Sequence, residues 1–239
     1  MTESNKKWIN CINVSKQFGY FFALKKISFN IKEHTIFGIA GANGAGKTTL
    51  IKILSGMLNP TFGKILIGGL NYQNHSIEIK QDIGITSDES FLYEELTIFE
   101  NLKFYNNLHL NFEKKEIQNR IDAFTEKFNI SDWTHEPVSN LSHGMKQKVE
   151  IIRTLMHQPS ILFLDEPFSG LDYNTTKMFI SFLKDLKTKE KITIILTTHR
   201  VGVFQQICDE IIILKKGRIN KTITEEDPDF RDIKIESYF

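Results

Sequence analysis

The sequence predicts an α/β chain with an antiparallel flap before its core and a helical stretch inserted within it, and three observations carry that prediction. Residues 41–48, Gly41-Ala42-Asn43-Gly44-Ala45-Gly46-Lys47-Thr48, read G-x-x-x-x-G-K-[ST] between an apolar run at 35–40 and a helical pattern at 49–58. Later apolar runs, Ile161-Leu162-Phe163-Leu164 and residues 192–196, are continuous rather than alternating. Continuous runs belong to parallel strands covered on both faces. Residues 86–140, by contrast, carry only helical periodicity.

The first of these stretches has a chemical meaning. A buried strand, a loop curled by glycines and a following helix turn successive backbone N–H groups inward, which makes an anion nest at a helix N-terminus. Lys47 would bridge outer phosphates and the Thr48 hydroxyl would ligate Mg²⁺. A glycine-rich turn before a helix can also arise without function, but strand before and helix after is the context the motif requires.

In chain order, residues 8–14 are weakly strand-like. The rings of Phe18-Gly19-Tyr20-Phe21-Phe22 are expected mostly in the core, and Ile27-Ser28-Phe29-Asn30-Ile31 alternates strictly, as a half-buried strand does. After the first helix, Asn59-Pro60-Thr61-Phe62-Gly63 reads as a turn, residues 64–67 as a short strand ending at Gly68-Gly69, and Ile83-Gly84-Ile85-Thr86 as another strand. Thr97 and Glu100 have capping-box spacing, with Ile98, Leu102, Tyr105 and Leu108 able to share one helical face. A second amphipathic helix is expected over 113–128, carrying Ile117, Ile121, Phe124 and Phe128, and Pro137 ends that stretch. Then follow a helix at 144–157 stopped by Pro159, the strand at 161–164, a helix at 174–186, the strand at 192–196, a short helix at 201–207, and strands at 211–214 and 218–222 around Lys216-Gly217.

Bulk properties narrow the class. The 239 residues carry a formal net charge of +1, so no basic excess of the kind that marks a nucleic-acid binder is present, and no nucleic-acid partner is expected. Cys11 and Cys208 lie far apart and outside any C-x-x-C spacing, which predicts buried reduced thiols rather than a zinc site or disulfide. No apolar h-region follows the first seven residues and no window approaches eighteen uncharged apolar residues, so neither a secretory signal nor a membrane span is expected.

A second chemical constellation stands at Leu164-Asp165-Glu166, where two adjacent carboxylates close an apolar strand. Two acids at a strand end can be a solvated edge. After a phosphate loop, they read as Asp165 holding Mg²⁺ and Glu166 acting as general base on an attacking water.

Leu141-Ser142-His143-Gly144-Met145-Lys146-Gln147 resembles the LSGGQ-type signature of ATP-binding cassette (ABC) ATPases, in the LSxGMxQ form, and precedes the Asp165-Glu166 strand end as in that family. Ser169-Gly170-Leu171-Asp172 resembles the family's D-loop, and Thr197-Thr198-His199 its switch histidine. The resemblance covers roughly residues 9–222. It implies the P-loop NTPase fold of ABC ATPases as one domain over 1–239: a mixed-sheet, RecA-like core and antiparallel β subdomain (about 1–86 with 141–239), and a helical subdomain inserted at 87–140.

The resemblance also implies ATP and Mg²⁺ as cofactors and assigns roles residue by residue. Gly41, Asn43, Gly44, Ala45, Gly46, Lys47, Thr48 and Thr49 would cradle the nucleotide, and Phe18 would stack on the adenine through its π-face, with Tyr20 and Phe21 close enough to compete for that place. Thr48, Asp165 and Asp88 would serve the metal; Glu166, His199, Lys47 and Asp88 would serve catalysis, His199 by contacting the γ-phosphate and positioning the water. Ser142 and Gly144 of one subunit would face the γ-phosphate bound by the other in a head-to-tail dimer of identical or closely related subunits, and Asp172 would organise the junction. Asp88 departs from the family's usual glutamine: it keeps an oxygen ligand, loses an amide donor and adds negative charge, which predicts altered Mg²⁺ dependence or slower turnover. His143 replaces a glycine at a position that varies among relatives.

At the level of the whole protein, the resemblance implies an ATPase subunit that powers a separate transmembrane permease docked beside residues 86–140 at the cytoplasmic face of the membrane. The motif set is similar to exporter-type subunits that handle drugs, peptides, lipids or sodium, with import left open. A soluble ABC ATPase uncoupled from transport, of the iron–sulfur assembly or DNA-repair type, is the other reading; a nucleotide kinase would not explain residues 141–147.

Overall fold

The computed structural model of the chain describes residues 7–87, 90–109, 114–227, 230 and 238. Two long strands, β1 (Lys7–Phe18) and β2 (Phe21–Lys32), form an antiparallel hairpin that leads into β3 (Ile36–Gly41) and helix α1 (Lys47–Leu54). β4 (Phe62–Ile67) returns to pair with β1, followed by β5 (Leu70–Asn71), α2 (Tyr72–Gln81) and β6 (Ile83–Thr86). Helices α3 (Ile98–His109) and α4 (Lys114–Lys127), with 3-10 turns at Ser131–Trp133 and Val138–Asn140, lie between β6 and α5 (His143–Leu155). β7 (Ile161–Leu164), α6 (Tyr173–Thr188), β8 (Thr193–Thr197), α7 (Val201–Ile207), β9 (Glu210–Lys215) and β10 (Arg218–Thr224) complete the order.

These strands make an antiparallel sheet, β2-β1-β4-β5, and a mixed six-stranded sheet, β10-β9-β3-β8-β7-β6. In the mixed sheet β9, β3, β8, β7 and β6 run parallel and only β10 is reversed. The reversal is made by Lys216 and Gly217, both at positive φ (49° and 75°), the two-residue geometry whose twist matches a hairpin. Strands β3, β7 and β8 are buried along their whole length, which explains their unbroken apolar runs. Alternate residues feed two cores. Phe37, Ile39, Phe163, Ile195 and Leu214 face α1 and the antiparallel sheet. Ile36, Leu162, Leu164, Leu196 and Ile213 face α5, α6 and the helices of the inserted stretch. The mixed sheet is therefore a wall with a core on each side, and its strand ends are held from both.

Several expectations change. Helix α2 and strand β5 carry no readable period, because Ile79 is the only buried residue of α2 and the helix kinks at His75. The helix expected over 49–58 stops at Leu54. In α3, Ile98 and Leu102 are fully buried, but Leu108 is 62% exposed and Asn106 takes the inward position one turn after Leu102. The rings expected in the core point outward: Phe18, Tyr20 and Phe21 sit at the tip of the β1–β2 hairpin and are at least half exposed. Glu113, the expected first residue of α4, lies outside the described residues.

Candidate active site

Because β3, β8, β7 and β6 are parallel neighbours, their last residues reach one edge of the sheet together: Ile39 pairs with Thr197, Leu164 with Leu196, and Thr86 with Leu164. Loops leaving that edge of an open α/β sheet are the ones that can converge on a ligand. Here they are the glycine loop, the Asp165-Glu166 pair, the Thr198-His199 turn and the loop after β6.

The glycine loop needs its glycines for two reasons at once. Gly41 (φ 149°) and Gly46 (φ 107°) hold backbone that side-chain-bearing residues rarely adopt, and a Cβ would stand 2.5 Å from the Leu214 carbonyl oxygen at Gly41 and 2.8 Å from that of Ala23 at Gly46. With Gly46 at its N-cap, α1 begins without a side-chain cap or an acidic first turn, whereas Ser142 caps α5 and Asp172 caps α6. The first N–H groups of α1 are thus left to whatever the loop binds, and the positive end of the helix favours an anion. Lys47 is buried to 8% exposure, its Nζ donating to the carbonyls of Gly41 (2.8 Å) and Ala42 (3.2 Å). That draws its charge to the loop. Ala45 is buried, Thr48 and Thr49 half-buried, and Asn43 and Gly44 face solvent.

At the end of β7 one hydroxyl organises both acids. Thr197 Oγ1 donates to Asp165 Oδ1 (2.5 Å) and accepts the Glu166 N–H (3.0 Å). Asp165 is buried at 4% exposure, while the Glu166 side chain keeps 31%. Glu166 occupies positive φ (49°), a costly conformation for a residue with a side chain, which lifts its carboxyl off the strand end. Glu166 Oε2 accepts from the His199 N–H (3.2 Å) and lies 2.9 Å from His199 Nδ1. With Nδ1 carrying its proton toward the carboxylate, Nε2 of this largely exposed ring is turned to other partners.

A second group forms around the start of α5. Ser142 Oγ accepts the Met145 N–H (3.3 Å). Gly144 and His143 press against the 169–172 turn: a Cβ on Gly144 would lie 3.1 Å from the Gly170 carbonyl oxygen, and one on Gly170 would clash with the His143 ring at 2.1 Å. Asp172 accepts from the Thr175 N–H (2.9 Å) and hydroxyl (2.7 Å), bonds that hold its carboxyl below the usual carboxylate range. Two side chains join this group to the first. Gln147 donates to the Pro167 carbonyl (3.4 Å), and Arg200, next to His199, donates to the Leu171 carbonyl (3.1 Å) and the Thr176 hydroxyl (2.9 Å). Neither Thr197 as the link between the acids nor Arg200 as the bridge had a signal in the sequence, since both roles depend on partners more than twenty residues away.

Phe18 stands in the other sheet, paired with Phe21 across the hairpin and half exposed, with Lys16 Nζ 5.1 Å from its ring centroid. Asp88 lies outside the described residues.

A family model described as ABC transporter matches residues 24–169, more than half of the chain. The chain belongs to the ABC transporter family. It is 35% identical to the ABC transporter ATP-binding protein NatA of Bacillus subtilis over 198 residues, 82% of this chain and 80% of that protein. It is 34% identical to the methionine import ATP-binding protein MetN of Clostridioides difficile over 231 residues, 95% of this chain and 71% of that one. Among solved structures, a dimeric ATP-binding cassette in a post-hydrolysis state bound to ADP and Pi superposes with a TM-score of 0.85 at 26% identity, covering 90% of this chain and 98% of the other. The α/β fold is thus that of the ABC ATPases, and this ABC subunit is an ATPase that uses ATP with Mg²⁺ in work coupled to transport.

The donor set suits that ion. Mg²⁺ takes hard oxygen ligands, keeps several waters and relies on substrate phosphates rather than a cage of side chains. The site offers a half-buried hydroxyl, Thr48, and a buried carboxylate, Asp165. No cluster of three or more His, Cys, Asp or Glu side chains that could hold a metal occurs among the described residues.

Proposed function

We propose that this ABC subunit binds ATP across the edge formed by the glycine loop and the ends of β7 and β8, and that two copies, or one copy and a close relative, close head to tail on two nucleotides. The observation that carries the reading is Glu166: at positive φ, joined to Asp165 through Thr197 and to His199 through Oε2, it is held off the end of a buried strand at the same sheet edge as the glycine loop.

In this reading Gly41, Asn43, Gly44, Ala45, Gly46 and Thr49 line the phosphates, and Lys47 leaves the loop carbonyls to take phosphate oxygens. Thr48 and Asp165, with Asp88, would hold Mg²⁺, which when bound offsets phosphate charge. Glu166 takes the proton of the attacking water, and His199 pivots from Glu166 toward the γ-phosphate, where its ring fixes the water's line of approach. Phe18 presents an open ring face to the adenine, with Lys16 over the ring as well. Ser142 and Gly144 present the positive end of α5 to the other subunit's γ-phosphate, and Asp172 steadies the junction.

In this reading the work is done on a separate transmembrane permease at the cytoplasmic membrane face; among the described residues no helix is long and apolar enough to cross a membrane. Its cytoplasmic segment fits beside α3, where a cavity of about 270 Å³ lined by Met57, Phe91 and Tyr105 and by the polar Lys80, Arg153 and His157 adjoins the exposed rings of Tyr93 and Phe104. Export is the direction we propose, on the likeness of the Gly44–Thr49, 141–147 and 166–172 motifs to exporter-type subunits.

The Glu166→Gln variant tests the site and the partner together. Its hydrolysis rate should fall 100-fold or more, the scale of a lost general base, and with ATP it should elute as a dimer in gel filtration. Immobilised in that state, it should retain a polytopic membrane protein from detergent extract that stimulates the parent ATPase. Parent-like turnover removes Glu166 from the general-base role; exclusively soluble partners overturn the transport reading.

A further inference from the structure

Helix α5 carries, two turns beyond its Ser142 start, a buried pair that the catalytic sheet edge described above does not use. Glu150 and Arg153, at 6% and 8% exposure, are bonded to each other, Arg153 Nε donating to Glu150 Oε2 (2.9 Å). Each also holds the backbone on one side of the loop that leaves β6. Arg153 Nη2 donates to the Ile85 carbonyl (2.7 Å), one residue before the strand ends. Glu150 Oε1 accepts from the Ser90 hydroxyl (2.7 Å) and the Phe91 N–H (2.6 Å), on the side of the loop that leads to α3. The Arg153 guanidinium lies 4.9 Å from the ring centroids of both Phe91 and Tyr105, and the Tyr105 hydroxyl donates to the Phe91 carbonyl. The peptide at Phe91 is therefore gripped at its N–H, its carbonyl and its ring.

Burying an ion pair costs desolvation that two apolar side chains would not incur, so the pair is a poor device for stability alone. Its hydrogen bonds instead fix direction: both carboxylate oxygens and the guanidinium fork have assigned partners on different segments. We propose that Glu150 and Arg153 are positioning residues that clamp both flanks of the loop carrying Asp88 to the helix carrying Ser142. The loop and the partner-facing end of α5, about 12 Å apart along the axis at 1.5 Å per residue, then move as one body. This rests on the proposed reading of the site, and it makes α5 the element through which the two half-sites of a dimer are read together.

Glu150→Gln and Arg153→Lys, made in the full chain, test it. The first keeps the side-chain length and removes the carboxylate charge; the second keeps the positive charge and removes the planar fork. The clamp predicts that kcat for ATP falls about tenfold with KM within about twofold, and that the Mg²⁺ concentration giving half-maximal rate shifts. A purely structural pair would lower the melting temperature and leave kcat per folded molecule and the Mg²⁺ profile at parent values, which overturns the proposal. Should either variant fail to fold, Ser90→Ala removes one donor to Glu150 and leaves the ion pair; it should give the same shift in the Mg²⁺ profile to a smaller degree, and an unchanged profile counts against the clamp. Glu166→Gln, measured alongside, separates the two ideas: if it too turned over like the parent, the reading of the active site has failed rather than the clamp.

Discussion

Thr197 holds the backbone of Glu166, while His199 holds its carboxylate. The backbone at positive φ is unfavourable for a glutamate, and the Thr197 hydroxyl compensates by accepting the Glu166 N–H while donating to the buried Asp165. Thr197→Val keeps the β-branched shape that β8 needs and removes only the hydroxyl. A hydrogen bond to a charged group contributes about 1.5–3 kcal/mol, so kcat should fall roughly 10- to 100-fold while ATP affinity holds, as measured by steady-state phosphate release and equilibrium nucleotide binding. Equal loss in both would place Thr197 in binding instead. The glycine loop was legible at this scale because its residue types are dictated locally: the positive φ at Gly41 and Gly46 and the close backbone of Leu214 and Ala23 leave no room for a Cβ. Thr197 and Arg200 were not legible. A threonine in an apolar strand and an arginine after a histidine carry no sign of partners that only the sheet order brings near.

Helix starts behave differently. Thr97 and Glu100 were readable as a capping box, and the structure shows the reciprocal bonds: Glu100 N–H to Thr97 Oγ1 at 3.1 Å and Thr97 N–H to Glu100 Oε2 at 2.9 Å. The Thr97 N–H and the Thr97 hydroxyl, which also donates to Glu100 Oε2 (2.9 Å), draw the Glu100 carboxyl below its ordinary range. Thr97→Ala removes the cap of α3 and should cost about 1 kcal/mol, a fall in melting temperature of about 2–4 °C for a chain of this size. Nucleotide affinity should not move, since α3 lies outside the glycine loop; calorimetry and a binding titration read the two separately. Period failed where the helix was not amphipathic. α2 buries only Ile79 and bends at His75, so neither spacing nor composition announced it. The aromatic cluster at Phe18, Tyr20 and Phe21 misled for the opposite reason: rings are usually buried, but a hairpin tip has nothing to pack them against.

For the molecule as a whole, the two groups of site residues face different tasks. The glycine loop, Asp165, Glu166 and His199 gather at one sheet edge, while Ser142, Gly144 and Asp172 gather at the starts of α5 and α6, tied to the first group through Gln147 and Arg200. If the second group serves the other subunit's nucleotide, damage to the two groups should complement. Chains carrying Lys47→Ala are expected to be nearly inactive alone, as are chains carrying Ser142→Ala. In a mixed dimer one half-site keeps both its own lysine and an intact partner serine, so the mixture should recover a measurable fraction of parent ATPase activity, and no recovery would argue that Ser142 acts within its own subunit. The sequence by itself determined a strand, glycine loop and helix in that order, though it ran the helix to residue 58 rather than 54, and with them the paired acids, the order of motifs and the capped start of α3, because each rests on neighbours in the chain or on a period of 2 or 3.6. Tertiary structure decided which acid is buried, that Thr197 joins them, that Arg200 reaches the 169–172 turn and that Glu150 and Arg153 grip the loop after β6. Those contacts span 24 to 68 residues of sequence, and only the order β3-β8-β7-β6, which pairing and helix packing set together, brings their partners within reach of a hydrogen bond.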